Sequence, residues 1–240
     1  MTSSTKHSSS RRQPFVFLNM AMTADGKIST ANGVVSSFGS AYDQHRLLLL
    51  RSKADAVMAG ARTVEASSIT LGPGGLRYRR LRIRQGLKEY NLRIVVSGSG
   101  RISRRAEVFR YRHSPVIVLT TRRASRAAVR RLESVADEVK ICGERTVDFP
   151  RAMRWLRKKW KVKCLLCEGG GELNAALFAA GLVNELNLTI CPRVFGGHAA
   201  PTIADGVGVR SLVQASQLRL KSMKRVDDEL FLVYRVLPRR

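Results

Sequence analysis

The chain has 240 residues, 44% apolar and 25% charged, an ordinary globular composition with enough material to bury a core without disulfides or metals. Lysine plus arginine is 43 against 18 acids, a net +25 that attracts polyanions and anionic metabolites without dictating a fold. No apolar run reaches the ~20 residues of a membrane span.

Met1–Gln13 is rich in Ser and Thr, carries Lys6, Arg11 and Arg12, and has no apolar core of signal-peptide length. It reads as a disordered leader. Residues 14–240 then form one domain, and the cytoplasm is the expected compartment. Phe15–Met22 is a first strand, ended by the Asp25-Gly26 turn. Ser40 caps a helix running to about Lys53. Ala54–Ala59 is a second strand, and Gly60-Ala61-Arg62-Thr63-Val64 turns into a short helix. Residues 67–91 read as irregular, with Gly72-Pro73-Gly74-Gly75 and a basic stretch from Arg77 to Arg84. Strands follow at Arg93–Ser97, Pro115–Thr120 and Glu138–Cys142, with a helix from Ser125 to Val135. Pro150 starts another helix. Cys164–Cys167 is a strand, Gly169-Gly170-Gly171 opens a helix to Ala180, and Glu185–Cys191 is a further strand. Leu218–Met223 and Leu230–Val236 read as a closing antiparallel hairpin. This alternation predicts an α/β three-layer sandwich with a mixed, mostly parallel central sheet.

Ligands of such sheets bind outside the carboxyl ends of the strands. Glu168-Gly169-Gly170-Gly171-Glu172 offers close backbone approach and a helix N-terminus, which suits a phosphate, or else makes a plain tight turn. Gly60-Ala61-Arg62-Thr63 joins a glycine turn to a cation and a hydroxyl, again suited to an anion. Ser97-Gly98-Ser99-Gly100 taken alone is an ordinary loop, and Asp25 taken alone stabilises its own turn. Asp43 and His45 sit on a helix that can be mostly solvated, and His113 and His198 show no partner. Cys164 and Cys167 form a C-x-x-C, but residues three apart on a strand point to opposite faces, so they read as buried small hydrophobes rather than a metal or disulfide pair.

Several segments together resemble the pyrimidine reductases of riboflavin biosynthesis, the RibD C-terminal domain type. They are Asn19–Lys27, Leu50–Val64, Glu168–Gly171, Phe178–Glu185, Pro192–Gly197 and Ala200–Thr202, and the likeness spans nearly all of residues 15–237. It implies a dihydrofolate-reductase-like fold, NADPH as hydride donor, a homodimer, and reduction of the ribosyl group of a 5′-phosphorylated aminopyrimidine to ribityl. By position it implies cofactor contacts at Ala21, Gly60, Thr63, Ser97, Gly98, Gly169, Gly170, Gly171 and Glu172. Arg62 is placed by extension at the 2′-phosphate. Asn19, Asp25, Lys27, Arg51 and Glu168 are implied to face the substrate, with Arg51 suited to its phosphate. Relatives carry an acidic Asp-Asp/Asn-Pro-x-Leu stretch after the threonine, where this chain reads Glu65–Leu71, and an arginine just beyond it, where Arg77 is the nearest. The H-x-E and P-C-x-x-C of a zinc deaminase are absent.

Two other readings stand beside this one. A reductase of the same fold could act on a pterin or dihydrofolate. A basic nucleic-acid-binding protein would account for the charge, but no recognisable nucleic-acid motif and few aromatics interleave with the cations.

Overall fold

A computed structural model describes residues 12–33, 38–66 and 69–238. Most of the expected leader, and Ser67 and Ser68 of the altered stretch, lie outside the described residues.

Nine strands form one sheet: β1 (Phe15–Thr23), β2 (Ala56–Gly60), β3 (Leu92–Val96), β4 (Val116–Thr120), β5 (Glu138–Ile141), β6 (Cys164–Cys167), β7 (Val183–Cys191), β8 (Leu218–Val226) and β9 (Glu229–Val236). Their order is β5-β4-β3-β2-β6-β1-β7-β9-β8. From β5 to β7 every pairing is parallel, and β9 runs antiparallel to both β7 and β8. The mixed sheet with its closing hairpin is therefore as expected.

The helices are α1 (Ala41–Arg51), α2 (Ala61–Ala66), α3 (Leu76–Arg84), α4 (Glu107–Arg110), α5 (Arg126–Glu133), α6 (Phe149–Lys159) and α7 (Gly171–Ala179). Apolar side chains alternate across the strands and build a core on each face. Val16, Leu18 and Met20 of β1 join α6 and α7 residues such as Met153, Leu156 and Leu177 on one side. Phe17 joins Leu50 of α1, Val64 of α2 and Leu132 of α5 on the other. Cys167 packs in the first core and Cys164 against the second, the opposed arrangement that a strand imposes on residues three apart. Burial pushes the Cys164 and Cys167 thiols up to about 11 and about 12.

One expectation is corrected. Residues 67–91 are not irregular throughout, because Leu76–Arg84 forms α3. Five of its nine residues are arginine, which hides the helical stripe, and one of them takes a core position. Arg82 is 1% exposed. Its Nε donates to Lys88 O (2.9 Å) and its Nη1 to Arg51 O and Ala54 O (2.7 and 2.6 Å). Burial lowers its pKa to about 10 while the Asp55 carboxylate pulls it back up, and every hydrogen bond the guanidinium makes among the described residues goes to a backbone carbonyl.

The turn after β1 is clamped from within. Asp25 accepts from Thr23 Oγ1 and from the Phe195 and Gly196 amides (3.2 and 2.7 Å), which ties the β1 turn to the segment after β7. The Thr23 bond is the largest influence holding the Asp25 carboxyl down at about 2. Lys27 donates through Nζ to Ala200 O (3.1 Å) and pairs as an isolated bridge with Thr202.

Two outcomes follow from these contacts. Arg82→Met keeps the aliphatic stem and removes the donors, so urea unfolding should show a loss of about 2–3 kcal/mol from the orphaned carbonyls; a loss under ~0.5 kcal/mol would show that they rehydrate freely. The depressed Asp25 pKa means stabilisation that is complete above the unfolded value of 3.8 and lost as pH falls toward about 2. Asp25→Asn should therefore flatten the dependence of Tm on pH within that window and leave its shape above pH ~5 unchanged.

Candidate active site at the carboxyl ends of the strands

The chain order of the sheet reverses at its centre. Strands β2 to β5 build outward from one side of β1, β7 lies on the other, and β6 returns to fill the gap between β1 and β2. Such switch points leave a crevice beyond the strand ends. Here it is a cavity of about 1990 Å³, lined from the ends of β1, β2, β3 and β6 and from α1. That exceeds the ~300–1,000 Å³ usual for one small ligand, so the cavity has room for more than one small molecule.

The β6–α7 turn forms the centre of this cavity. The Glu168 amide donates to Met58 O (2.9 Å) and the Gly60 amide to Gly169 O (2.8 Å), which continues the β2–β6 pairing into the turn. Gly169 has φ +83°, and a Cβ there would stand 2.7 Å from Met20 Sδ, so only glycine fits. The Gly169–Gly170 peptide is cis. The Gly170 amide donates to Thr63 Oγ1 (3.0 Å). A Cβ on Gly171 would overlap the Asp205 carboxylate and lie 2.5 Å from Thr202 O. The glycine there serves packing of the 202–205 segment. Gly170, the N-cap of α7, brings no capping side chain, so amides of the first turn are left for water or an anion. Arg62 pairs with Glu172 at 2.7 Å, with both side chains more than two-thirds exposed, a contact worth little.

Helix α1 supplies a second wall. Asp43, Leu47 and Arg51, spaced four apart, all line the cavity, as one face of a helix must. At the far end of the helix, Arg51 grips Glu168 in a fork, Nε to Oε1 and Nη2 to Oε2, both 2.6 Å, while Nη1 donates to Gly72 O (2.8 Å). Both side chains are under 10% exposed. At the near end Asp43 is buried and accepts from Thr189 Oγ1 (2.7 Å). The solvated position expected for Asp43 is thus corrected: the first turn of α1 lies over the end of β7 rather than in water. His45 faces away and bonds Tyr78 OH through Nδ1 (2.6 Å).

Of the residues singled out in the sequence, Asn19, Ala21, Gly60, Arg62, Thr63, Ser97, Gly98, Arg51, Glu168, Gly170, Gly171 and Glu172 line this one cavity. Gly169 is the backbone of its central turn. Asp25 and Lys27 lie outside the lining and brace the loops that border it. Asn19 Oδ1 is buried with no hydrogen-bond partner, an acceptor that asks for a donor from a ligand. Sequence reasoning missed the loop from Arg145 to Asp148 with the first residues of α6, and the segment from His198 to Pro201, which also line the cavity. The first follows β5 and the second lies beyond β7, so the rule placing ligands at strand ends would have found the first. Among the described residues no group of three His, Cys, Asp or Glu side chains is placed to hold a metal, and no helix is long and apolar enough to cross a membrane.

Comparison with known proteins agrees with this architecture. Residues 14–232 match the family described as the RibD C-terminal domain. The 2,5-diamino-6-ribosylamino-4(3H)-pyrimidinone 5′-phosphate reductase of Methanothermobacter thermautotrophicus is 32% identical over 93% of this chain and 99% of its own. The protein of the same name from Archaeoglobus fulgidus is also 32% identical, over 90% and 95%. Among solved structures, a pyrimidine reductase-like protein of Corynebacterium diphtheriae superposes with a TM-score of 0.78 at 22% identity, covering 93% of this chain and 92% of that one. Acinetobacter baumannii RibD superposes at 0.75 and 19% identity, with this chain spanning 59% of its length. These two likenesses speak for the fold. The family match runs through every strand that builds the cavity, and the chain belongs to the RibD C-terminal domain family.

Proposed function

We propose that this chain is a reductase of riboflavin biosynthesis that converts the ribosyl group of 2,5-diamino-6-ribosylamino-4(3H)-pyrimidinone 5′-phosphate to ribityl, with NADPH as hydride donor. The observation that carries the reading is the uncapped start of α7 over Gly169–Gly171, opening on a cavity with room for two ligands. The archaeal relatives are named as reductases of a phosphorylated pyrimidinone, and a reduction of that kind calls for a hydride donor beside the substrate.

On this reading the Gly171 and Glu172 amides and the Thr63 hydroxyl hold the cofactor's phosphates, with the Gly170 amide fixing Thr63 and Gly60 and Gly169 shaping the turn beneath them. Ala21, Ser97 and Gly98 wall the rest of that half. Arg62 reaches a 2′-phosphate only by leaving Glu172. The bound cofactor supplies a hydride, and the protein's work is to orient and desolvate the partners. Asn19, Arg51 and Glu168 face the pyrimidine half. Its amino groups are the donors that the orphaned Asn19 Oδ1 lacks. Two of the three donor nitrogens on Arg51 are taken by Glu168 and the third by Gly72 O, so its part is to position Glu168 more than to neutralise a phosphate. Asp25 and Lys27 act at one remove, by holding the 195–202 segment.

The same reading includes a homodimer and a cytoplasmic location. Strand β8 is an edge with Leu218, Leu220 and Met223 between 41% and 65% exposed, a surface that a second copy would cover. The four free thiols suit a reducing compartment.

Gly170→Asp tests the cofactor site. Gly170 has φ −64° and ψ −176°, open to any residue, and the nearest atom to a new Cβ is Thr63 Oγ1 at 3.2 Å, so the variant should fold. NADPH titrated by fluorescence should bind the natural protein at micromolar Kd, and the new carboxylate should weaken it on the order of a hundredfold or more. Equal affinity would sink the site assignment, and turnover of dihydrofolate in place of the pyrimidine would sink the substrate. Light scattering should find a dimer that Leu220→Glu with Met223→Glu converts to monomer; a monomeric natural protein would remove that part.

A further inference from the structure

Six acids line the cavity: Asp43, Glu65, Asp148, Glu168, Glu172 and Asp205. Five already have partners, Glu172 only at the exposed rim. Glu168 is taken up by Arg51, and Glu172 by Arg62. Glu65 accepts the Ser103 amide (2.7 Å), Asp148 caps α6 through the Arg151 amide (2.9 Å), and Asp205 accepts the Thr202 amide and hydroxyl (3.0 and 2.7 Å). Asp43 differs. Its Oδ1 accepts from Thr189, and among the described residues Oδ2 has no hydrogen-bond partner. Thr189 stands beside Ala21 in the β1–β7 register. The carboxyl therefore sits one strand away from a residue assigned to the cofactor half, on the helix face whose other polar end is the Arg51–Glu168 fork.

We infer that Asp43 is the general acid of the reaction, protonating the ribose ring oxygen as the sugar opens. This rests on the reductase reading above. A ribosylamine cannot accept hydride at C1′ while that carbon is saturated. The C1′–O4′ bond breaks, its electron pair leaves on O4′, and O4′ takes the Asp43 proton. The lone pair of the exocyclic nitrogen forms C1′=N, giving an iminium. The hydride furnishes the two electrons that saturate C1′, and the nitrogen regains its lone pair. One proton is consumed overall, and the Asp43 carboxylate recovers it from water.

The surroundings favour the protonated carboxyl over the carboxylate. Burial is the largest influence raising the Asp43 pKa, and Glu229 of β9 adds to it, whereas the Thr189 hydroxyl of β7 and Arg46 of α1 pull it down. Cys191 of β7, whose own thiol is raised to about 12, also faces this pair of acids. Glu229 is held by the Ser40 amide and hydroxyl, so it cannot swing away.

The test is the pH profile of kcat with the ribosylaminopyrimidinone phosphate, beside NADPH binding by fluorescence. Asp43→Asn keeps an acceptor for Thr189 and should lower kcat about a hundredfold, with NADPH affinity unchanged and the alkaline limb of the profile gone. Thr189→Val removes a bond that favours the anion, so it should move that limb to higher pH while activity persists. This second variant decides the matter should the first fold poorly. Asp43→Asn with natural kcat and profile, or Thr189→Val with an unmoved limb, overturns the inference. A natural enzyme that binds NADPH but turns over no ribosylaminopyrimidine would instead remove the reading beneath it.

Discussion

The head of the cavity depends on one buried ion pair. Arg51 and Glu168 stand with their side chains 9% and 8% exposed, and taking two such charges out of water costs several kcal/mol each. Fork geometry and the bond to Gly72 O offset that cost, which makes the pair a device for geometry more than for stability. It joins three segments that share no strand ladder: the end of α1, the end of β6 and the loop at Gly72. That loop is braced in turn. Leu71 is fully buried at φ +56°, and Asn91 Nδ2 bonds its carbonyl. Arg82 holds the carbonyl of Arg51 itself. Losing either member of the fork would strand the other charge, a change of about 3–5 kcal/mol, and would free the turn against which the dinucleotide is proposed to lie.

Much of this was legible in the residues, for reasons that also explain what was hidden. Runs such as Val116–Thr120 are buried on both faces, so a parallel strand announces itself without alternation. Lateral order leaves no such mark. Nothing in Cys164-Leu165-Leu166-Cys167 says that it enters between β1 and β2, yet that insertion carries Glu168 to the centre of the sheet. Helix α3 was obscured because arginine reads as solvent-facing, while Arg82 is buried by carbonyls contributed from Ala54 and Arg51, distant in sequence. Asp43 was misjudged by the same rule: a carboxylate on a surface helix is assigned to water unless one knows that Thr189, 146 residues away, comes to meet it. Asp25 shows the converse. Its turn chemistry was plain from Asp25-Gly26, and the structure adds the partner at Phe195 and Gly196 that only the fold can supply.

The net charge of +25 takes on a narrower meaning in this setting. Long-range attraction draws anionic ligands toward the molecule, but the cavity is not simply cationic. The buried guanidinium of Arg51 is matched by Glu168, and the exposed Arg62 by Glu172. Arg101 and Arg145 also line the cavity, and on the proposed function the peptide amides at the start of α7 add short-range contacts that orient a phosphate in a way that a diffuse field cannot.

Helix α1 brings these themes together. Its dipole favours an anion at the first turn and a cation at the last, and it carries Asp43 at one end and Arg51 at the other. At the last turn the dipole and the Glu168 carboxylate both attract the guanidinium. At the first turn the dipole opposes burial and the neighbouring Glu229, and burial dominates. One helix thus presents a salt-bridged cation and a carboxyl that burial shifts toward its neutral form on the same face, two turns apart, and on the proposed function the first positions Glu168 while the second donates a proton as the ring opens.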